Sequence, residues 1–146
     1  MTDAAPLTLH ATAVAVAETS VLLIGSSGSG KSALALEMMA RGATLIADDQ
    51  VILTSRENAI YLTCPAPLEG LIEARGVGLL HTDHVSDVPL ALVVDMDQEE
   101  TERLPPKRTT TFLGKSLPLL HNVASGHFPA ALIQYLRHAH RNDAHL

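Results

Sequence analysis

The residues Gly25-Ser26-Ser27-Gly28-Ser29-Gly30-Lys31-Ser32 match the pattern G-x-x-x-x-G-K-[ST] at every defined position. That spacing suits the cradling of the phosphates of a nucleoside triphosphate. Glycines let the backbone turn and approach a ligand without a Cβ in the way. Consecutive amides then point inward at phosphate oxygens, and a helix beginning near Lys31 aims its positive end at the same place. Lys31 brings a full charge to the β- and γ-phosphates, and the Ser32 hydroxyl can coordinate Mg2+. A Gly/Ser-rich turn between strand and helix is the plain alternative, but a turn alone does not call for Lys-Ser at the start of the helix.

Phosphoryl transfer also needs Mg2+ ligands and usually a carboxylate near the incoming nucleophile. Two sites compete for that role. Asp48-Asp49 follows the apolar run after the loop helix, and Asp95 ends Leu90-Ala-Leu-Val-Val94. An apolar strand closed by Asp is the general pattern of a magnesium site, although any buried strand can end in a polar residue. Side chains alternate along a strand. If the strand persists, Asp48 and Asp49 therefore face opposite ways, one free for chemistry and the other for structure or metal. In Leu71-Ile-Glu-Ala-Arg-Gly-Val-Gly78, Glu73 and Arg75 share one side of an extended segment, ahead of two glycines that let the chain bend. A solvated, salt-bridged turn explains that segment equally well. His81-Thr-Asp-His84 brings metal-binding residue types together, yet reads more simply as a polar turn between strands. His138, His140 and His145 read as solvated, or as charges favourably near a helix C-terminus. Cys64 beside Pro65 reads as packing.

The elements that must position these residues follow from pattern. Leu7–Val16 reads as a strand, and Val21–Ile24 as a short buried strand ending at glycine. Lys31–Arg41 reads as a helix, with Leu34 and Met38, and Ala35 and Met39, repeating at i, i+4 toward the core. Gly42 stands where a helix-terminating glycine belongs. Thr44–Ala47 is the next strand. Val51–Thr54 and Ala59–Thr63 form a hairpin around Ser55–Asn58. Pro65-Ala-Pro67 is a rigid loop, and Val88–Val94 is another buried strand. Asp97–Arg108, charged and holding Pro105-Pro106, reads as a surface loop. Pro129–His140 is a C-terminal helix with Leu132, Ile133, Tyr135 and Leu136 on its apolar side, and Arg141–Leu146 reads as a frayed end.

A chain of 146 residues suits one domain rather than two. Hydrophobic residues make up 47%, with Tyr61, Tyr135, Phe112 and Phe128 the only aromatics, so the core is aliphatic. Ten basic against 16 acidic residues give a formal charge of −6. That balance speaks against a nucleic-acid groove, which needs clustered Lys and Arg, but not against one bound phosphate group. Cys64 is the sole cysteine, which rules out an internal disulfide and suits a reducing compartment. The start of the sequence lacks the basic and apolar regions of a signal peptide, and no run reaches the roughly 18 apolar residues of a spanning helix. The expectation is a cytoplasmic protein with no membrane and no nucleic-acid partner.

Four segments, in order, carry a resemblance. They are Leu9-His10-Ala11, the Gly25–Ser32 loop, Leu45-Ile-Ala-Asp-Asp-Gln-Val51 and Leu71-Ile-Glu-Ala-Arg-Gly-Val-Gly-Leu79. Over Leu7 to Val94 the chain resembles the catalytic domain of the HPr kinase/phosphorylase family. The resemblance implies an α/β fold with a P-loop-containing core of mixed β-sheet related to phosphoenolpyruvate carboxykinase, a nucleotide-loop helix and a C-terminal helix. It implies ATP and Mg2+ as cofactors, and the phosphocarrier protein HPr, phosphorylated on a serine, as substrate. Asp48 would be the general base toward that serine, and the general acid when phosphate attacks in reverse. His10 would lie near Asp48. Ser32, Glu73 and Asp49 would form the metal site, and Lys31 would act on the transferring phosphates. Asp95 would fall on a structural strand. The implied assembly is a homo-oligomer, typically a hexamer. The expected organisation is one catalytic domain over 1–146, a short form without the N-terminal domain that the family often carries. The family's arginine-rich run before the last helix would fall at Leu119–Gly126, where this sequence reads Leu-Leu-His-Asn-Val-Ala-Ser-Gly. That departure points to a mainly kinase-acting or reduced variant. Another phosphate-loop kinase or nucleotide hydrolase, and a nucleotide-binding regulator without turnover, are the competing functions.

Overall fold

A computed structural model describes residues 5–139. The described residues form eleven strands and two α-helices, with α1 after the third strand and α2 after the last. The strands are β1 (Leu7–Leu9), β2 (Thr12–Val16), β3 (Thr19–Ile24), β4 (Thr44–Ala47), β5 (Val51–Arg56), β6 (Ala59–Thr63), β7 (Leu71–Ala74), β8 (Gly78–His81), β9 (Val88–Glu99), β10 (Thr109–Phe112) and β11 (Lys115–Asn122). The helices are α1 (Lys31–Met39) and α2 (Phe128–Arg137). The fold is mixed α/β. Nine strands form one sheet in the order β1-β5-β6-β9-β3-β2-β4, with β11 added to β9 and β10 to β11. β7 and β8 form a separate hairpin.

The core has two parts because period-two alternation sorts side chains to opposite faces. Val14, Val16, Val21 and Leu23 meet Leu34, Met38, Leu132 and Leu136 of the two helices. Ala13, Ala15 and Leu22 face the other way, toward Leu53, Ile60 and Leu62 of the curled half of the sheet. In β9, Leu90 belongs to the second part and Leu92 to the first, although they lie two apart. The register between β3 and β9 slips there, Ser20 facing Leu90 and Val21 facing Leu92. One extra residue, Ala91, reverses the parity, as a β-bulge does.

Four elements depart from the sequence expectations. The strand expected over Leu7–Val16 is two strands. The chain bends at His10, where the Ala11 amide donates to the Asp49 carbonyl at 3.3 Å, and passes from pairing with β5 to pairing with β3 and β4. The strand expected to stop at Val94 runs to Glu99, because β11 pairs with it in parallel as far as Asn122 and Glu99. Asp97 is therefore a strand residue, and the surface loop begins at Glu100, clasped by the Glu100–Arg108 ion pair. The β10–β11 hairpin was not expected. Its two-residue turn, Leu113-Gly114, has positive φ at both positions, as tight hairpins require, but Leu lacks the turn signal of Asn or Asp. The last helix spans Phe128–Arg137, and the expectations for His140, His145 and Arg141–Leu146 lie outside the described residues. Thr44–Ala47 and the Val51–Thr63 hairpin lie as expected. Gly42, with φ +103, follows α1, and the next amide, of Ala43, donates to the Met38 carbonyl. Pro65-Ala-Pro67 contributes to a 3-10 turn, Ala66–Leu68. Among the described residues no helix is long and apolar enough to cross a membrane.

Candidate active site

The Gly25–Ser32 loop joins β3 to α1. Its glycines Gly25, Gly28 and Gly30 all have φ between +84 and +147, a region that L side chains avoid. At Gly25 a Cβ would meet Ser29 Oγ at 2.7 Å and Met96 Cβ at 3.1 Å, so a side chain is also sterically excluded there. Gly30 precedes α1 and gives it no side-chain cap, and the first turn carries no acidic residue. The leading amides of the helix, which have no intrahelical acceptor, are thus left for an anion.

A cleft of about 770 Å³ opens between this loop, the end of β4 and the β7–β8 hairpin. His10, Thr12, Ser27, Gly28, Gly30, Lys31, Ser32, Asp48, Asp49 and Glu73 all line it. Asp48 is 8% exposed. Its Oδ1 accepts from Ser32 Oγ at 2.7 Å and from Thr12 Oγ1 at 2.8 Å, while its Oδ2 accepts from the Glu73 amide at 3.0 Å. Three elements therefore fix one carboxylate against the first turn of α1. Lys31 is 7% exposed and folds back, its Nζ donating to the Gly25 and Ser26 carbonyls at 2.7 and 2.9 Å. These two neutral acceptors can be exchanged for a charged phosphate oxygen.

Asp49 parts from Asp48 because β4 has ended and its φ is +79. Its carboxylate lies 3.2 Å from His10 Nδ1, which also makes a 3.0 Å hydrogen bond with the Asp49 carbonyl. His10 was expected near Asp48; it shares the cleft with Asp48, but its contact is Asp49. Glu73 reaches Asp48 through its backbone, and its side chain is exposed at the rim. Among the described residues no group of three or more His, Cys, Asp or Glu forms a metal cage. Mg2+ does not require one, since it binds through one or two carboxylates together with phosphates and water. Ser32, with Asp49 and Glu73 on the same cleft, fits that mode. His81-Thr-Asp-His84 is not gathered into a site; His84 Nε2 instead lies 3.5 Å from Glu69 Oε2.

Asp95 is mid-strand, beside Ile24 and His121 in register, and its Oδ1 accepts from the Asp97 amide at 2.9 Å. Two participants were missed in the sequence. Thr12 looked like one β-branched strand residue among others; only the pairing of β2 with β4 brings it to Asp48. Asp97 was read as loop, yet its carboxylate holds the Ser26 amide at 2.8 Å and the Ser26 hydroxyl at 2.7 Å. Cys64 is half-buried, and burial first, then the charges of Glu69 and Asp48, push its thiol up to about 11.

The arrangement can hold a polyanion on backbone amides and set a fixed carboxylate beside a hydroxyl. Comparisons with known proteins show which family the chain resembles. The family model described as "HPr Serine kinase C-terminal domain" matches residues 3–135. An HPr kinase/phosphorylase of Xylella fastidiosa (strain M12) is 37% identical over 106 residues, covering 67% of this chain and 34% of that relative. One from Xanthomonas campestris pv. campestris (strain B100) is 38% identical over 107 residues, covering 68% and 34%. The solved structure of the Hpr(Ser) kinase/phosphatase from Coxiella burnetii superposes with a TM-score of 0.77 at 24% identity, covering 96% of this chain and 99% of that one. That last likeness establishes the fold. The chain belongs to the HPr serine kinase C-terminal domain family. It spans about a third of the length of the curated relatives it matches.

Proposed function

We propose that this chain is a single catalytic domain that transfers the γ-phosphoryl group of ATP to a serine of the phosphocarrier protein HPr. The observation that carries the reading is Asp48, a buried carboxylate fixed by Thr12, Ser32 and the Glu73 amide at the floor of the cleft that the glycine-rich loop borders. In this reading the core is of the phosphate-loop type related to phosphoenolpyruvate carboxykinase. The amides of Gly25–Ser32 hold the phosphates, and Lys31 leaves the loop carbonyls for the β- and γ-oxygens. Ser32, Glu73 and Asp49 would hold Mg2+, which when bound would neutralise phosphate charge. Asp48 orients the serine hydroxyl and takes its proton as the new O–P bond forms, leaving phosphoserine and ADP. His10, paired with Asp49, steadies the rim of the cleft beside it. Phosphorolysis uses the same groups: inorganic phosphate attacks phosphoserine, the serine O–P bond breaks as pyrophosphate forms, and Asp48 returns the proton to the serine oxygen. The missing arginines at Leu119–Gly126 favour the forward direction. In this reading the protein works in the cytoplasm, in regulation of carbon metabolism and the phosphotransferase system, as a homo-oligomer, typically a hexamer.

The test is transfer of labelled phosphate from ATP to purified HPr. Labelled HPr supports the reading. ATP hydrolysis without HPr labelling would indicate a different phosphate-loop enzyme, and nucleotide binding without turnover a regulator. Light scattering at working concentration tests the assembly: a hexamer is expected, and a fully active monomer would contradict it.

A further inference from the structure

We infer that Asp97 is a positioning residue for the glycine-rich loop, holding Ser26 in place when Lys31 leaves the loop to meet a phosphate. This rests on the reading of Gly25–Ser32 as a phosphate site. Ser26 is gripped from two directions. Inside, its carbonyl accepts from Lys31 Nζ at 2.9 Å and from the Ser29 amide at 3.1 Å, and the neighbouring Gly25 carbonyl accepts from Lys31 at 2.7 Å. Outside, the Ser26 amide and hydroxyl both donate to the Asp97 carboxylate, at 2.8 and 2.7 Å. An ammonium that turns to a phosphate gives up its carbonyls, and the inner hold weakens as the ligand arrives. The outer hold is untouched by that exchange.

The support beneath the loop is continuous. Asp97 belongs to β9, the longest strand. Its amide is tied to Asp95 Oδ1 at 2.9 Å. Its neighbour Met96 packs under the loop, its Cβ 3.1 Å from where Gly25 would carry a Cβ and its Cε 3.6 Å from the same point at Gly30. Asp97 does not line the cleft, so it acts through Ser26 and not on the ligand. By charge alone a carboxylate near a phosphate site opposes anion binding. The strut and the bare charge therefore predict opposite effects of removing Asp97.

The experiment measures binding of a fluorescent ATP analogue with Mg2+ to the full chain and to Asp97→Ala and Asp97→Asn, with melting curves to verify folding. Asn keeps both bonds, its carbonyl accepting from the Ser26 amide and its NH2 donating to the hydroxyl, but carries no charge. Asp97→Ala is expected to weaken binding about tenfold, the scale of one charged hydrogen bond, and Asp97→Asn to recover to within about threefold. In turnover the loss should fall on the nucleotide KM, with kcat nearly kept. Unchanged or tighter binding by Asp97→Ala overturns the proposal, as does an Asn variant as weak as the Ala one. Amide exchange across Gly25–Lys31 reads the strut without ligand. It is expected to speed up in Asp97→Ala, and unchanged exchange overturns the strut by itself. A wild-type chain that binds no nucleotide defeats the phosphate-site reading instead; faster exchange in Asp97→Ala in that same chain would show that the strut itself stands.

Discussion

Asp48→Asn is the substitution that most directly probes the proposed chemistry. The two side chains have the same shape, and the surroundings decide what the exchange costs. Asp48 accepts hydrogen bonds from Ser32, Thr12 and the Glu73 amide. An Asn can turn its carbonyl to the Glu73 amide and give its two N–H groups to the hydroxyls, which then act as acceptors. All three contacts survive, but each changes from a bond to a charged group, worth about 1.5–3 kcal/mol, to a neutral one worth about 1 kcal/mol. The solvation gained by removing a buried charge offsets part of that difference. The expected loss of stability is about 1–3 kcal/mol, enough to lower the melting temperature without abolishing folding. The loss of catalysis is larger. A positioned general base contributes roughly 10²–10⁴-fold, or about 3–5 kcal/mol of barrier at 1.36 kcal/mol per decade. ATP binding should be kept, since Lys31 and the loop amides remain. Asp95→Asn is the comparator. Asp95 uses one oxygen to receive the Asp97 amide, and an Asn carbonyl does the same, so transfer should fall by less than about threefold. Initial rates of phosphate transfer to HPr at saturating Mg-ATP, measured for both variants side by side, check the order. A larger loss from Asp95→Asn, the result expected of a general magnesium-binding strand end, would refute the assignment of roles.

Lys31→Ala should abolish transfer, by about 10²-fold or more, and weaken ATP binding while the fold survives; near-normal turnover would remove the phosphate-loop reading. Cys64, held up to about 11 by burial and by Glu69 and Asp48, should react with a thiol reagent at pH 8 about a hundredfold more slowly in the native chain than in the denatured one, whose thiol has its ordinary value of 9.0; equal rates would contradict the buried setting. Glu100 is held below its ordinary 4.5, first by its hydrogen bond from Arg108. A lowered carboxylate adds stability that is full above its unfolded value and fades as pH falls through the folded one. Arg108→Ala should therefore melt lower than the wild type near pH 7, with the gap closing below about pH 4.5; a gap independent of pH would show that the ion pair is not its source.

What could be read from the sequence was mostly local. The G-x-x-x-x-G-K-S loop, the helix after it and the Thr44–Ala47 strand with Asp48 behind it all announce themselves within a dozen residues. Their physics is local too: positive φ at glycines, i, i+4 apolar spacing, a strand that ends where the charge begins. The hairpin at β10–β11 was hidden because its turn, Leu113-Gly114, uses an unusual residue for a positive φ, and because Pro118 in β11 argues against a strand. Pro118 is accommodated opposite Thr109, and the following amide, of Leu119, donates to Arg108 at 3.0 Å.

The same limit explains which parts of the cleft were missed. Thr12 and Asp97 lie 36 and 71 residues from their partners, Asp48 and Ser26, and nothing in either local pattern marks them. Both are brought in by the sheet: β2 carries Thr12 past β4, and the length of β9 beyond Val94 carries Asp97 beneath the loop. That extra length is set by β11, whose parallel pairing runs to Asn122 and Glu99. A hairpin remote from the motif therefore decides whether residue 97 is loose surface or support for the glycine-rich loop. Residues that would touch a nucleotide were legible because the ligand's chemistry restricts their type. Residues that hold those in place were not, because many side chains could do so and only the fold determines which one does.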